Sequence, residues 1–192
     1  MSTQNTSQNR SKIWLYANAA LALLLIVAGI VMFFWVDEQS STPGTAGSIN
    51  KIAAQHQGRP APGFTLPTLS GESATLSDYE GQVVLINLWA TWCPPCKAEM
   101  PTLNAFYEAH REQGFVVLAV NNQEDATTIN AYIQEKGFTF PVLLDPQAEM
   151  LDMYQVQGLP TTFIIDRSGQ IQHVQIGEIT EEQLNRIVGP LL

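Results

Sequence analysis

Seven consecutive uncharged residues, Val83 to Trp89 in "VVLINLWA", constrain the fold of this chain more than any other feature. A strand with one wet face alternates apolar and polar side chains, but this run is apolar on both faces apart from Asn87. It predicts a central strand covered on both sides, and "FVVLAVNN" at 115–122 repeats the pattern. Between them, Met100, Leu103, Phe106 and Tyr107 recur at helical spacing, which predicts a helix from Pro94 to about Gln113, ended by Gly114. "DATTINAYIQEKG" reads as a helix capped by Asp125 and closed by Gly137. "PVLLD" and "TTFIID" read as strands, "PQAEMLDMYQV" as a helix, and "QIQHVQIG" as an exposed strand after the Arg167-Ser168-Gly169 turn. "TEEQLNRIVGPLL" reads as a closing helix with Thr180 as its cap. Ahead of these, "FTLPTLSGESATL" reads as a hairpin around Ser70-Gly71-Glu72. Strands alternating with helices predict an α/β sheet covered on both faces.

The N-terminal third reads differently. Residues 1–12 are polar, with Arg10 and Lys12 their only charges, and Ile13–Val36 follows with no charge at all. At 1.5 Å per residue such a run reaches roughly 36 Å as a helix, enough to span a bilayer. Trp14, Tyr16 and Trp35 stand where interfacial aromatics belong. A cleaved signal peptide would have a shorter apolar core and a small-residue cleavage site, whereas this run ends in "MFFWVDE". The expected organisation is a cytoplasmic tail (1–12), a transmembrane anchor (13–36), a flexible linker (37–60) and a folded domain (61–192). Arg10 and Lys12 on the near side, with Asp37 and Glu38 beyond, place the domain outside the cytoplasm. After the apolar run, seven basic residues face eighteen acidic ones. That excess of negative charge argues against nucleic acid and anionic lipid as partners.

Both cysteines of the chain, Cys93 and Cys96, lie where the first buried strand hands over to its helix. A structural zinc site takes four ligands, and His56, His110 and His173 are scattered, each reading as an ordinary surface residue. Two thiolates suit Cu(I), so copper stays open on composition alone. A structural staple is a poor use of so small a loop. Pro94 and Pro95 occupy the first helical turn, where a missing amide costs nothing, so Cys93 falls at the helix N-terminus. The free amides and dipole there stabilise a thiolate. Cys96, one turn in, is expected to be more covered. An exposed attacker with a shielded resolver suits thiol–disulfide exchange.

"WCPPCKAEMP" resembles the active-site segment of the thioredoxin superfamily. "GLPTTFIID" resembles the loop in which such proteins hold a cis-proline opposite the cysteines, here Pro160, and "IGEITEEQL" resembles their closing strand–Gly–helix. The anchor, the "PAPGFTLPTLSGESATLSDYEGQVVLINLWATWCPPC" opening and an inserted segment at about 122–145 are similar to the membrane-anchored TlpA/ResA type, within the AhpC/TSA-redoxin-like superfamily. The resemblance implies a thioredoxin fold: a central mixed sheet with helices on both faces, an N-terminal β-hairpin and a central strand–helix insertion, preceded by one transmembrane helix. It implies an extracytoplasmic thiol–disulfide oxidoreductase without cofactor or metal, typically a reductase. Its implied partners are an integral-membrane thiol transporter of CcdA/DsbD type and protein disulfides, such as the haem-attachment cysteine pair of apocytochrome c or copper-site thiols in oxidase assembly. A disulfide-forming oxidase and a copper-binding assembly factor are the alternatives.

By the same resemblance Trp92, Leu159, Pro160 and Thr161 contact substrate, the Leu159 and Thr161 backbone by strand addition. Ordinary thioredoxins carry a buried aspartate six residues before the first cysteine, and here that position is Asn87, which cannot accept a proton. Glu99 lies three residues after Cys96 on the same helical face, and the TlpA/ResA resemblance places a functional glutamate there. Cys93, Cys96 and Glu99 are therefore the candidate catalytic residues. Trp89 reads as core and Lys97 as a solvated charge. A peroxidase of the peroxiredoxin kind would need Thr and Pro where Ala90 and Ile86 stand.

Overall fold

The computed structural model describes residues 25–28, 30–32 and 55–192. Residues 25–28 and 30–32 are helical, and no helix among the described residues is long and apolar enough to cross a membrane. The expected tail, most of the expected anchor and the linker up to residue 54 lie outside the described residues.

A five-stranded sheet carries the domain. Its strands are β3 (Val83–Trp89), β4 (Phe115–Asn122), β5 (Val142–Asp145), β6 (Thr161–Ile165) and β7 (Ile171–Ile176), in the order β5-β4-β3-β6-β7. β3, β4 and β5 run parallel, whereas β6 is antiparallel to both β3 and β7, so the sheet is mixed. Every residue of β3 and β4 is buried, as uninterrupted apolar runs require when both faces are covered. On one face lie α1 (Pro94–His110), α2 (Ala126–Lys136) and α4 (Glu181–Val188), packed on Leu85, Trp89 and Val117 through Leu103, Ile129 and Leu184. The other face is covered by α3 (Glu149–Met153) and by the hairpin β1 (Thr65–Pro67) and β2 (Ser73–Thr75), with Met150, Tyr154 and Leu66 against Ile86, Leu118 and Phe163. Burying such a side chain contributes about 1.5–3 kcal/mol.

Local chemistry sets the element ends. α1 gives way to a 3-10 turn at Arg111–Gln113, and Gly114 then reverses the chain at φ 78, a conformation that penalises a side chain. Asp125 caps α2 by accepting the Thr128 amide at 2.9 Å, and Gly137 closes it at φ 68. Thr180 and Gln183 form a reciprocal capping box at the start of α4. The expected insertion is α2 plus β5, which extends the sheet by an edge strand alongside β4.

Three expectations need correction. The helix read over "PQAEMLDMYQV" is only Glu149–Met153, because Asp145 accepts the Glu149 and Met150 amides and so defines a late start. β7 is half-buried rather than exposed, with Ile171 and Val174 inside. Its cover is the segment before the hairpin: Gly58 donates to the Ile171 carbonyl at 2.8 Å, and Ile171 donates back to Arg59 at 2.9 Å. For the same reason His56 is not a surface residue. It is buried, its ring set edge-on to Phe163 at 5.7 Å, so ordered packing begins upstream of residue 61. At the opposite edge, Leu69 donates to the Val142 carbonyl at 2.9 Å. Residues 58–60 and 68–69 thus pair with the first residues of the two edge strands and shorten the edge each leaves open.

Candidate active site

Cys93 is the N-cap of α1, in extended conformation, with Pro94 and Pro95 directly behind it. Its sulfur accepts the Cys96 amide at 3.3 Å, one of the amides a helix start leaves without a partner. The two cysteines form a disulfide. The expected asymmetry of exposure is small: Cys93 is 3% exposed and Cys96 0%. The apolar cluster of Trp89, Ala90 and Met100 encloses both. The exposed group at the rim is Trp92, at 65%, as expected, while Trp89 is fully buried.

Glu99 is no solvated helix residue. It is 1% exposed, and both carboxylate oxygens are engaged: Oε1 accepts from Asn87 Nδ2 at 2.7 Å and Oε2 from the Ile179 amide at 2.8 Å. Burial pushes its carboxyl up to about 7. The bonds from Ile179 and Asn87 pull the other way without offsetting it, and the Glu178 carboxylate adds to the rise. A carboxyl poised near neutrality can both take and return a proton at working pH. Asn87, which cannot act as a base, anchors the group that can; its Nδ2 also donates to Thr162 Oγ1 at 3.0 Å.

The Leu159-Pro160 bond is cis, and Pro160 is buried at the entry to β6 beside β3. The Pro160 carbonyl accepts the Gly177 amide at 2.9 Å, so the loop after β7 braces it. Thr161 is already part of the sheet, opposite Leu88 on one side and Ile176 on the other. Its backbone is therefore not open to an added strand, contrary to expectation, whereas Leu159 lies outside the strand. His110 packs on Phe106 at 4.3 Å, and among the described residues no group of three or more His, Cys, Asp or Glu could hold a metal ion. Three participants escaped the sequence reading: Thr162, Ile179 and Glu124. Glu124 accepts from the Thr91 amide at 2.6 Å, two residues before Cys93.

Two sulfurs that can trade one pair of electrons, at the start of the helix that follows the central strand of a mixed sheet, define a class: the thioredoxin-like thiol–disulfide oxidoreductases. A profile of the AhpC/TSA family matches residues 57–174, and the chain belongs to that family, as a thioredoxin-like protein of the TlpA/ResA type. It is 41% identical over 129 residues to the thiol-disulfide oxidoreductase ResA of Geobacillus kaustophilus, covering 67% of this chain and 74% of that one. With ResA of Bacillus cereus the match runs over 162 residues at 33% identity, covering 84% and 88%. Among solved structures, a thiol:disulfide interchange protein DsbE of Chlorobium tepidum superposes with a TM-score of 0.66 at 31% identity, covering 70% of this chain and 96% of that one. StoA of Bacillus subtilis superposes with a TM-score of 0.59 at 30% identity, covering 67% and 97%.

Proposed function

We propose that this enzyme is a membrane-anchored, extracytoplasmic reductase of protein disulfides, with the haem-attachment cysteine pair of apocytochrome c as its substrate type. The Cys93 thiolate attacks one sulfur of the substrate disulfide, forming a mixed disulfide and releasing the other sulfur as a thiolate, which takes a proton. Cys96 passes its proton to Glu99 and attacks Cys93 Sγ. The second substrate sulfur leaves and is protonated in turn. Two electrons and two protons have moved to the substrate, and the Cys93–Cys96 disulfide remains. An integral-membrane thiol transporter of CcdA/DsbD type returns the electrons. The uncharged Ile13–Val36 run supports the anchor, and Arg10 and Lys12 support the orientation.

The observation that carries the reductase direction is the burial of both cysteines, at 3% and 0% exposure. Burial raises a thiol's pKa, and a carboxylate one helical turn from Cys96 opposes a second negative charge. Strong oxidants of this fold owe their power to a stabilised reduced form, which such surroundings withhold. Equilibration with glutathione tests the direction. A potential near that of thioredoxin, about −270 mV, supports the reading, and one near about −120 mV overturns it. Cys96→Ser should trap a mixed disulfide with an oxidised Cys-x-x-Cys-His peptide, and Cys93→Ser should not.

A further inference from the structure

The turn that delivers Cys93 runs from Ala90, whose carbonyl accepts the Cys93 amide at 3.2 Å. Within it, Ala90 has no polar side-chain group and Trp92 points to solvent. Thr91 is different, because both its donors, the amide and the hydroxyl, are held by one side chain from another part of the fold. Glu124, in the connection between β4 and α2, accepts the Thr91 amide on Oε2 at 2.6 Å and the Thr91 hydroxyl on Oε1. The same Oε2 accepts Asn121 Nδ2 at 2.7 Å, and the Glu124 amide donates to Asn121 Oδ1 at 3.3 Å. Asn121 is fully buried at the end of β4, opposite Trp89 of β3. The carboxylate is thus fixed to the sheet and fixes the turn in its own place.

We infer that Glu124 is a positioning residue for Cys93: through Thr91 it holds the Ala90–Cys93 turn so that the Cys93 sulfur stays at the Cys96 amide, the amide that the first turn of α1 leaves free after Pro94 and Pro95. The Cys96 amide reaches that sulfur at 3.3 Å, a close N–H···S contact, and a displaced turn would lengthen it. The insertion then does more than widen the sheet, because its first residues set the reactivity of the cysteine motif. The inference rests on Cys93 being the attacking thiol.

Charge and position act on that thiol in opposite directions, which makes the role testable. Deleting a nearby carboxylate charge, by itself, favours the Cys93 thiolate and lowers its pKa. Releasing the turn takes the sulfur away from the helix end and raises it. The measurement is the rate of iodoacetamide alkylation of Cys93 in the reduced full-length protein across pH 5–10, with the labelled residue identified by mass spectrometry. Thr91→Val removes one tether and leaves the charge in place. Glu124→Gln removes the charge and leaves one acceptor for three donors. Thr91→Val should raise the Cys93 pKa by about half a unit, the size of a helix-end charge interaction, and Glu124→Gln should raise it by less, because the lost charge acts the other way. The double variant should add little to either, since both break one link. A fall or no change in Glu124→Gln, no change in Thr91→Val, or full additivity overturns the positioning role. Should Cys96 be the residue labelled first in the unaltered protein, the assignment of the nucleophile fails instead, and that outcome is read without the variants.

Discussion

Replacing Glu99 by Gln should change how stability depends on pH, and the structure sets the size. Burial moves the carboxyl from 4.5 to about 7. At 1.36 kcal/mol per pKa unit, ionising it in the folded protein costs about 3 kcal/mol more than in the unfolded chain. Below about pH 4.5 folded and unfolded chains both hold the proton, and this group contributes no pH dependence. Between about 4.5 and 7 the unfolded chain has released it and the folded chain has not, so stability falls as pH rises. Above about 7 both forms are ionised and the fall stops. Glu99→Gln cannot titrate and loses this slope. Its carbonyl can still accept from one of the two donors, Asn87 Nδ2 or the Ile179 amide, but its NH2 faces the other, at a pH-independent cost of about 1–3 kcal/mol. The informative quantity is therefore the change in the difference between the two proteins. Relative to the variant, the unaltered protein should lose about 3 kcal/mol between pH 4.5 and 8. Urea unfolding of the oxidised proteins, in which the cysteines do not titrate, would show this as a relative midpoint shift of about 1–3 M. Every other titrating group is common to both. Midpoints that run parallel across this range would refute the buried, proton-holding Glu99.

Asn87→Asp puts a second carboxyl against Glu99, and the pair should titrate as a unit with its upper pKa above that of Glu99 alone; the variant should lose more stability at pH 8 than at pH 5, and equal losses would count against the contact. Trp92→Ala should leave stability within about 0.5 kcal/mol, because the ring is exposed. It should lower kcat/KM for a protein disulfide and spare a small disulfide such as oxidised glutathione; a parallel fall with both would move Trp92 from substrate contact to the chemistry. Leu103→Ala, in the fully buried seam of α1, should cost about 2–5 kcal/mol by denaturant unfolding. Arg167 donates to the carbonyls of Gly81, Gln113 and Leu192, so Arg167→Ala leaves three acceptors to water and should cost about 1–3 kcal/mol, read as a lower Tm.

What sequence determined here is what neighbouring residues decide between them. The double-faced apolar runs made β3 and β4 central; Asp125 and Gly137 bounded α2; Thr180 and Gln183 started α4. Pro94 and Pro95 put Cys93 at a helix start, and the spacing of Cys96 and Glu99 put both on one face. Each of these rests on backbone geometry within a few residues, which local residue types dictate. The tertiary structure alone decided how far each group is taken from water and which distant atom meets it. Glu99 could be a surface charge or a buried base on the same helix, and only the Ile179 amide and Asn87, eighty and twelve residues away, settle it. Local pattern makes Cys93 an exposed helix cap, yet its own core cluster encloses it; it makes His56 part of a linker, yet the ring is sealed against Phe163. Glu124 gave no signal, since a glutamate before a helix is most often solvated, and its meaning lies in Thr91, thirty-three residues back. Desolvation and long-range hydrogen bonds depend on what packs against a residue, and periodicity along the chain carries no record of that.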